Sequence, residues 1–202
     1  MRKVFLFGLP VFVLALGLLF TGCDSGDSTP DLPISTVSWE EGNDGFVQFY
    51  TNDSQYYSYY FVGIFDNAAK GIYEIECKKI SGSQKYAYGM IFGAANTGTE
   101  NFFALLVDCQ GYFSILKRDG DNETLKTDWI NSSNLLSGYN KINTLKVTES
   151  GSTYTIFING VQVHKFTDSA GFGNRIGYFA SIGPEKDEKF PNSPVDVRFR
   201  MN

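Results

Sequence analysis

The chain has 202 residues and a formal net charge of −5, with 17 basic and 22 acidic side chains. No basic stripe interrupts this acidic balance, which argues against nucleic acid as a partner. Only one histidine is present, which excludes a metal site built from several histidines. From composition and motifs together, we expect no cofactor, no metal ion and no nucleic-acid partner.

The first 22 residues have the pattern of an export signal. Arg2 and Lys3 precede an apolar run over residues 4–20, and small residues then lead to Cys23. A positive start, an apolar centre and a small-residue cleavage site are typical of secretory signal peptides. The alternative is an uncleaved membrane anchor. A run of about 17 residues that contains glycine and proline is short for a spanning helix.

Residues 19–23, Leu-Phe-Thr-Gly-Cys, resemble the lipobox of bacterial lipoproteins, although Phe20 replaces the usual small aliphatic residue. The resemblance implies that Cys23 is acylated and becomes the mature N-terminus. Stable anchoring then needs the several acyl chains that bacterial lipoproteins carry. We therefore expect a lipid-anchored protein of the bacterial cell envelope, held on the extracytoplasmic side and bound to the membrane through Cys23.

Three segments follow from this interpretation. We predict a lipoprotein signal peptide over residues 1–22 and a flexible tether over residues 23–33. The tether is rich in Asp, Ser, Gly, Thr and Pro and holds a single leucine, too little apolar surface to offset the entropy of ordering. Residues 34–202 have the length of one domain and can bury a substantial core.

That domain has the pattern of short strands separated by turns. No segment sustains a helical period over three turns, whereas apolar alternation and aromatic or β-branched runs recur. The predicted fold is all-β, with two antiparallel sheets packed as a sandwich. In chain order the predicted strands cover residues 46–50, 59–65, 72–80, 86–95, 102–107, 112–117, 125–129, 145–148, 154–158, 161–166, 176–182 and 195–201.

The dipeptide Asn159-Gly160 is the strongest hairpin signal in the chain, because a type I′ turn needs a positive φ at both central residues. It predicts that Ile158 faces Val161, and that each residue before Ile158 faces the residue equally far beyond Val161. In that register His164 faces Thr155 and lies off the core face.

Several of these segments carry a family resemblance. The order of residues 88–92 (Tyr-Gly-Met-Ile-Phe), 101–103 (Asn-Phe-Phe), Asp128-Trp129, 143–147, 157–160 and 175–179 resembles the concanavalin A-like domains. The resemblance is to members related to laminin-G modules and to the bacterial domain named for a 3-keto-disaccharide hydrolase. It implies a jelly-roll sandwich whose concave face often meets carbohydrate, and it implies nothing firm about chemistry.

The sequence argues against catalysis. Jelly-roll β-glucanases place alternate acidic residues on one strand face as nucleophile and acid. Here Glu74 and Glu76 share a face, but Lys78 stands where the third acid should be. His164 is predicted to be an exposed strand residue. We therefore assign no catalytic residues, although a glycoside hydrolase remains the third-ranked class.

Two further patterns bear on metal binding and on disulfide formation. Residues 119–123, Asp-Gly-Asp-Asn-Glu, lack the glycine and glutamate that a Ca²⁺ loop of the EF-hand type needs at its sixth and twelfth positions. An ordinary turn selects the same residues, so no metal ligands are assigned. Cys77 is predicted on an apolar strand face and Cys109 in a turn, which favours two free thiols over a disulfide.

Aromatic side chains are the remaining candidates for ligand contact, since a pyranose presents an apolar C–H face to a ring. The predicted ligand-binding residues are Tyr57, Tyr59, Tyr88, Trp129 and Tyr139. Packing of Trp129 into the core beside Leu125 is the alternative for that residue. We expect a non-catalytic carbohydrate-binding domain, and the alternative is a surface protein-interaction domain whose tyrosines contact another protein.

Overall fold

The computed structural model describes residues 38–42, 44–51, 59–69, 71–95, 100–182 and 195–201. The predicted signal peptide, the tether, Cys23 and Tyr57 lie outside these residues. Among the described residues, no helix is long and apolar enough to cross a membrane.

The described residues form β-strands joined by turns, as the sequence predicts, with one short strand, β1, that the sequence pattern did not indicate. The strands are β1 (Ser38–Glu41), β2 (Val47–Thr51), β3 (Tyr59–Asn67), β4 (Ile72–Ser81), β5 (Tyr88–Ala94), β6 (Asn101–Val107), β7 (Tyr112–Asp119), β8 (Asn122–Asn131), β9 (Asn143–Ser150), β10 (Thr153–Ile158), β11 (Val161–Thr167), β12 (Arg175–Ile182) and β13 (Val195–Met201).

These strands build two antiparallel sheets, which confirms the predicted jelly-roll sandwich. Sheet A has seven strands in the order β1-β2-β13-β4-β9-β10-β11. Sheet B has six strands in the order β3-β12-β5-β6-β7-β8. Strands that are distant in sequence are neighbours in both sheets, so β13 at the end of the chain pairs with β2 and β4.

Strand β4 illustrates how sequence alternation selects the core face of sheet A. Tyr73, Ile75 and Cys77 are fully buried between the sheets, whereas Glu74 and Glu76 point to the outer face. This confirms the predicted alternation, because side chains of successive strand residues point to opposite faces. Both predicted free thiols, Cys77 and Cys109, are free and buried.

Aromatic rings join the two sheets. Phe92 and Phe103 of sheet B have centroids 5.5 Å apart, and Phe103 lies 5.1 Å from Tyr154 of sheet A. Tyr154 in turn stacks on Phe166 at 5.0 Å. A second aromatic group between the sheets comprises Trp39, Phe49, Tyr178 and Phe199.

Sheet B is apolar on both faces. Phe103, Leu105 and Val107 of β6 face the inter-sheet core, while Phe102 and the alternate residues of the same strand belong to a second buried cluster. Continuous apolar runs are typical of strands buried on both sides. The members of this outer apolar layer are Ala87, Ile91, Ala94, Phe102, Ala104, Leu106, Leu116 and Phe179.

The β10–β11 hairpin has the predicted turn but only part of the predicted register. Asn159 and Gly160 both have positive φ, at 51° and 80°, and Ile158 pairs with Val161 as expected. A bulge then shifts the pairing, so that His164 lies opposite Ile156. The prediction that His164 faces Thr155, off the core face, is therefore wrong, because a bulge adds one unpaired residue to one strand.

Side-chain amides fix the tip of this hairpin. The Asn159 side-chain amide donates to the Asn134 carbonyl at 2.7 Å and to Asn143 Oδ1 at 2.8 Å. Asn159 Oδ1 accepts from the Thr144 amide at 2.8 Å. Asn143 is fully buried and both donates to and accepts from the Leu136 backbone. Every polar group of this network that is described here has a partner, as burial requires.

Lys79 is a fully buried charged residue in the core of sheet A. Its Nζ donates to the carbonyls of Ser83 and Tyr86, both at 2.7 Å. These bonds fasten the β4–β5 connection across the end of the sandwich. A buried ammonium group is tolerated only with such partners.

The positive φ of Gly160 in this turn predicts that a side chain at that position lowers the stability of the fold. A Cβ there meets no atom within 4 Å, so the cost of Gly160→Val comes from the positive φ alone. We expect a loss of about 1–3 kcal/mol in the free energy of unfolding, measured by chemical denaturation. Gly171→Val is the matched control, because Gly171 is equally open and has no positive φ. Equal losses in both variants would contradict the turn assignment.

Burial of Lys79 predicts a pH-dependent stability. Burial lowers its pKa to about 8, although Cys109 and Asp108 oppose the shift. The unfolded chain therefore binds more protons than the folded chain between pH 8 and the ordinary lysine pKa, and this contribution to stability grows as pH rises. From pH 7 to pH 9 the free energy of unfolding of the wild type should rise by about 1 kcal/mol relative to Lys79→Met.

The comparison between the two proteins removes the titration of other groups, which both share. Lys79→Met is expected to be less stable at both pH values, because the Ser83 and Tyr86 carbonyls lose their donor. Only the difference in pH dependence tests the shifted pKa. Parallel pH profiles for the two proteins would rule it out.

Candidate functional site

The four predicted ligand-contacting aromatics that the structure describes do not form one surface. Tyr88 is fully buried, with its ring in the inter-sheet core, so it is a packing residue and cannot contact a ligand at the surface. Its alternation on β5 with Gly89 explains the placement, since glycine occupies the opposite face. Burial raises the pKa of the Tyr88 hydroxyl, which lies against the Cys109 thiol.

Trp129 and Tyr59 lie on strands at opposite edges of sheet B. Trp129 belongs to β8 and has 41% of its surface exposed, and Leu125 of the same strand has 46% exposed. The alternative that packs Trp129 into the core is therefore wrong. Tyr59 begins β3, five strand positions away in the sheet order.

Tyr139 lies in the connection between β8 and β9 and is partly buried. Its hydroxyl donates to the Gly82 carbonyl at 2.5 Å, and burial raises its pKa. This contact gives Tyr139 a structural role at the end of the sandwich. The four predicted residues that the structure describes are thus dispersed, and Tyr57 lies outside the described residues.

A dense polar site lies instead on the outer face of sheet A, across β2, β13, β4 and β9. We call it the ion-pair ladder. The face is outer because the alternate residues of each strand fill the inter-sheet core. Its members are Asp44, Gln48, Glu74, Glu76, Lys78, Lys146, Asp196, Arg198 and Arg200.

Strand register explains two of its ion pairs directly. Arg200 of β13 lies opposite Glu76 of β4, and its Nε donates to Glu76 Oε2 at 3.0 Å. Glu74 lies opposite Lys146 of β9, with 2.8 Å between Oε2 and Nζ. Opposite charges on directly paired strand residues stabilise the pairing.

A third position pairs like charges and needs a counter-ion from outside the strands. Arg198 lies opposite Lys78, an arrangement that is unfavourable by itself. Asp44, in the β1–β2 turn, lies between them, with its Oδ2 3.1 Å from Lys78 Nζ and 3.3 Å from Arg198 Nη1. The Lys78 hydrogen bond lowers the pKa of the Asp44 carboxyl, and Arg198 adds to the shift.

Asp196 orients the same guanidinium from the other side. Its two carboxylate oxygens lie 3.4 and 3.5 Å from Arg198 Nε and Nη2, and Asp196 raises the pKa of Arg198. Gln48 donates to Asp196 Oδ2 at 2.9 Å. Arg198 is thus clamped between two carboxylates, which leaves few rotamers open to it.

Phe46 forms the floor of one end of the ladder. Lys78 Nζ lies 4.2 Å and Arg200 Cζ 4.5 Å from the centre of its ring. The two cations cover Phe46 so completely that it is buried on an outer sheet face. Cation–π contacts of this kind hold long side chains in place.

Aromatic residues flank the ladder on the same face. Tyr50 of β2 lies opposite Asp196, and Phe157 of β10 lies opposite Lys146. Both side chains are partly buried. Paired strand residues share a face, so a polar strip runs between two rings across four adjacent strands.

The charges of the ladder balance. Lys78, Lys146, Arg198 and Arg200 oppose Asp44, Glu74, Glu76 and Asp196. Side-chain exposure ranges from 11% at Asp196 to 42% at Arg200, so these groups are partly desolvated and still reachable. Such an array presents fixed donors and acceptors without a net field, which suits a neutral ligand with many hydroxyl groups.

The arrangement does not resemble a pair of catalytic carboxylates. Glu74 and Glu76 are each held by a cation from a neighbouring strand, and neither faces a free carboxylic acid across a gap.

Among the described residues, no group of three or more His, Cys, Asp or Glu side chains could hold a metal ion. The turn of residues 119–123 is held by a contact within the protein: the Gly120 backbone amide donates to Asn101 Oδ1 at 2.8 Å.

The sequence pattern indicates only part of the ion-pair ladder. It identified the outward alternation of Glu74, Glu76 and Lys78, but not their partners on β13. The alternation of Asp196, Arg198 and Arg200 was visible in the sequence as well. Strand order, which places β13 beside β4, was the missing information.

No protein-family model matches the chain, and no curated protein matches it significantly. Solved structures do match. The carbohydrate-binding module CBM66 from Bacillus subtilis aligns with a TM-score of 0.51 at 12% identity, over 82% of this chain and 89% of that one.

Two further structures align. One comes from work on endo-acting O-glycanases that prominent members of the human gut microbiota express to initiate mucin breakdown, with a TM-score of 0.50 at 10% identity over 79% of this chain and 81% of that one. The other is sheep galectin-11 in complex with glycerol, with a TM-score of 0.42 at 13% identity over 71% and 99%. At these identities the alignments with TM-scores of 0.51 and 0.50 support the fold alone, a jelly-roll sandwich.

Proposed function

We propose that this protein is a lipid-anchored, extracytoplasmic lipoprotein whose sandwich domain binds a neutral glycan without cleaving it. The ion-pair ladder on the outer face of sheet A is the binding surface. Anchoring occurs through acylated Cys23, and residues 23–33 hold the domain away from the membrane.

The balanced ladder between Tyr50 and Phe157 is the observation that carries the proposal. A sugar ring offers pairs of neighbouring hydroxyls, each able to donate and to accept. A guanidinium clamped between carboxylates presents donors and acceptors side by side and loses little entropy on binding. The flanking aromatic rings supply apolar surface for the C–H face of a pyranose.

Charge supports a neutral ligand over an acidic one. A polyanion would need unpaired cations, yet each cation of the ladder already faces a carboxylate. The net charge of −5 also disfavours an acidic ligand. Burial of the ladder is partial, so competing water weakens each contact, and we expect a Kd of roughly mM to μM.

Absence of catalysis is part of the proposal. Glu74 and Glu76 are each engaged by a cation, and a glycosidase needs one carboxylic acid that protonates the leaving oxygen. The carbohydrate-binding module CBM66 shares the fold. O-glycanases share it as well, so fold alone does not decide the question.

Removal of one clamped cation tests the binding surface. Arg198→Ala should weaken binding of neutral oligosaccharides at least tenfold, measured by calorimetry after a glycan array has identified a ligand. Arg118→Ala is the matched control, because Arg118 forms a comparable surface ion pair with Glu123 at 3.0 Å, on sheet B. Binding that both variants lose equally, or that neither loses, would contradict the assignment.

The same samples test the claim of no catalysis. Hydrolysis of any bound oligosaccharide that disappears in Glu76→Gln or Glu74→Gln would establish a glycoside hydrolase instead. The alternative of a protein-interaction domain would be favoured by two results together. No glycan on the array would bind, and the domain would capture a protein partner that Arg198→Ala no longer captures.

The anchor has a separate test. Cys23→Ala removes the acylation site, so the protein should remain unprocessed or leave the membrane fraction. Membrane fractionation and the apparent mass of the product are the measurements. A Cys23→Ala protein that fractionates with membranes at the mature size would exclude the lipoprotein assignment.

A further inference from the structure

Exposed apolar side chains gather at one end of the sandwich, which we call the loop end. Among the described residues, eight large hydrophobic side chains are exposed, and six of them lie there: Tyr112, Trp129, Ile130, Leu136, Ile142 and Val161. Each belongs to the first or last residues of a strand or to the connection between β8 and β9. Of the other two, Ile72 begins β4 at the opposite end and Leu125 lies nearer the start of β8. Concentrated exposed apolar surface marks an interaction site.

The chain enters the sandwich at this same end. Ser38, the first residue of β1, pairs with Tyr50 of β2, and Tyr50 pairs with Asp196 of β13. Asp196 in turn pairs with Ser81, the last residue of β4. Strand β9 begins beside this end of β4, directly after Ile142. The start of β1 and the exposed apolar residues therefore share one end of the domain.

The β8–β9 connection crosses the loop end from sheet B to sheet A and is held at both sides. Its Gly138 amide donates to the Cys109 carbonyl, in the turn after β6, at 2.8 Å. Its Asn134 carbonyl accepts from the Asn159 side chain, at the tip of the β10–β11 hairpin, at 2.7 Å. The exposed Leu136 between these two contacts is thus presented on a fixed connection.

Charge distinguishes the loop end from the opposite end. The β8–β9 connection carries one charged residue, Lys141, which is exposed and adjoins Ile142. The turn between β7 and β8, at the opposite end, carries exposed Asp119, Asp121 and Glu123. An anionic lipid surface attracts basic groups and repels acidic ones. The loop end is therefore the end that such a surface would accept.

We propose that the loop end docks on the lipid surface to which Cys23 anchors the chain, an inference that rests on the lipid anchor of the proposed function. Cys23 and Ser38 are 15 positions apart in the chain. At about 3.3–3.6 Å per residue, this length allows at most about 50 Å between them. Because Ser38 lies at the loop end, the anchor keeps this end nearest the membrane.

The side chains of the loop end suit the boundary between headgroups and acyl chains. Tyr112 and Trp129 each combine an apolar ring with a polar group, and such residues are enriched at membrane interfaces. Leu136 and Ile142 supply purely apolar surface, while Lys141 beside them extends its charge toward lipid phosphates. So few apolar groups give weak and reversible docking. The domain therefore also occupies positions that the tether holds clear of the membrane.

Fluorescence quenching in vesicles tests this contact. The full chain, purified from membranes as the lipoprotein, is reconstituted into vesicles of phosphatidylethanolamine and phosphatidylglycerol, with and without a lipid that carries a nitroxide on its headgroup. A fluorophore on Val161→Cys reports the loop end, and one on Ile72→Cys reports the opposite end. These positions are matched, at 47% and 48% exposed. We expect at least about threefold stronger quenching at position 161, because a nitroxide quenches only at short range.

Labelling is specific because Cys77 and Cys109 are buried and the Cys23 thiol is acylated. The unsubstituted chain measures any remaining background. Tethering alone also brings the loop end near the lipid, so removal of apolar side chains is the decisive comparison.

In the labelled Val161→Cys chain, Leu136→Ser combined with Ile142→Ser should lower the quenching at least about twofold, because both side chains contribute apolar contact. Leu125→Ser is the matched control and should leave it unchanged, since Leu125 is 46% exposed and lies outside the loop end. Melting curves establish that each variant is folded.

Flotation of the vesicles reports the anchor independently of docking. A chain that does not float with the vesicles contradicts the anchor, and the docking proposal falls with it. A chain that floats but shows equal quenching at positions 161 and 72 overturns docking alone. Quenching at position 161 that the double variant leaves unchanged has the same consequence.

Discussion

Aromatic packing between the sheets is the constraint on which the rest of the molecule depends. Phe92, Phe103 and Tyr154 bring the two sheets into register, because ring pairs have preferred offsets and contribute about 0.5–1.5 kcal/mol beyond their buried area. Because the inner positions hold aromatic rings, the alternation of side chains along a strand places every second residue on the outer face. Any ligand surface must therefore be built from residues that do not contribute to the core.

The two outer faces are used differently, and this division explains where a ligand surface can form. Sheet B is apolar on its outer face, as the burial of Phe102 and Ile91 shows. Sheet A instead carries the ion-pair ladder, in which Asp44 separates the like charges of Lys78 and Arg198. A half-buried array of this kind costs desolvation that only good pairing offsets. An array of this kind is therefore weak evidence for a role in stability.

Local chemistry was predictable from the sequence, and long-range pairing was not. Asn159-Gly160 dictated its turn because few residues adopt positive φ, yet the bulge beyond it depends on packing and moved His164 to another partner. Tyr88 was predicted to contact a ligand because an aromatic ring can stack on a sugar, whereas the structure places this ring in the inter-sheet core. The ladder joins Gln48, Lys78 and Arg198, which only the strand order brings together.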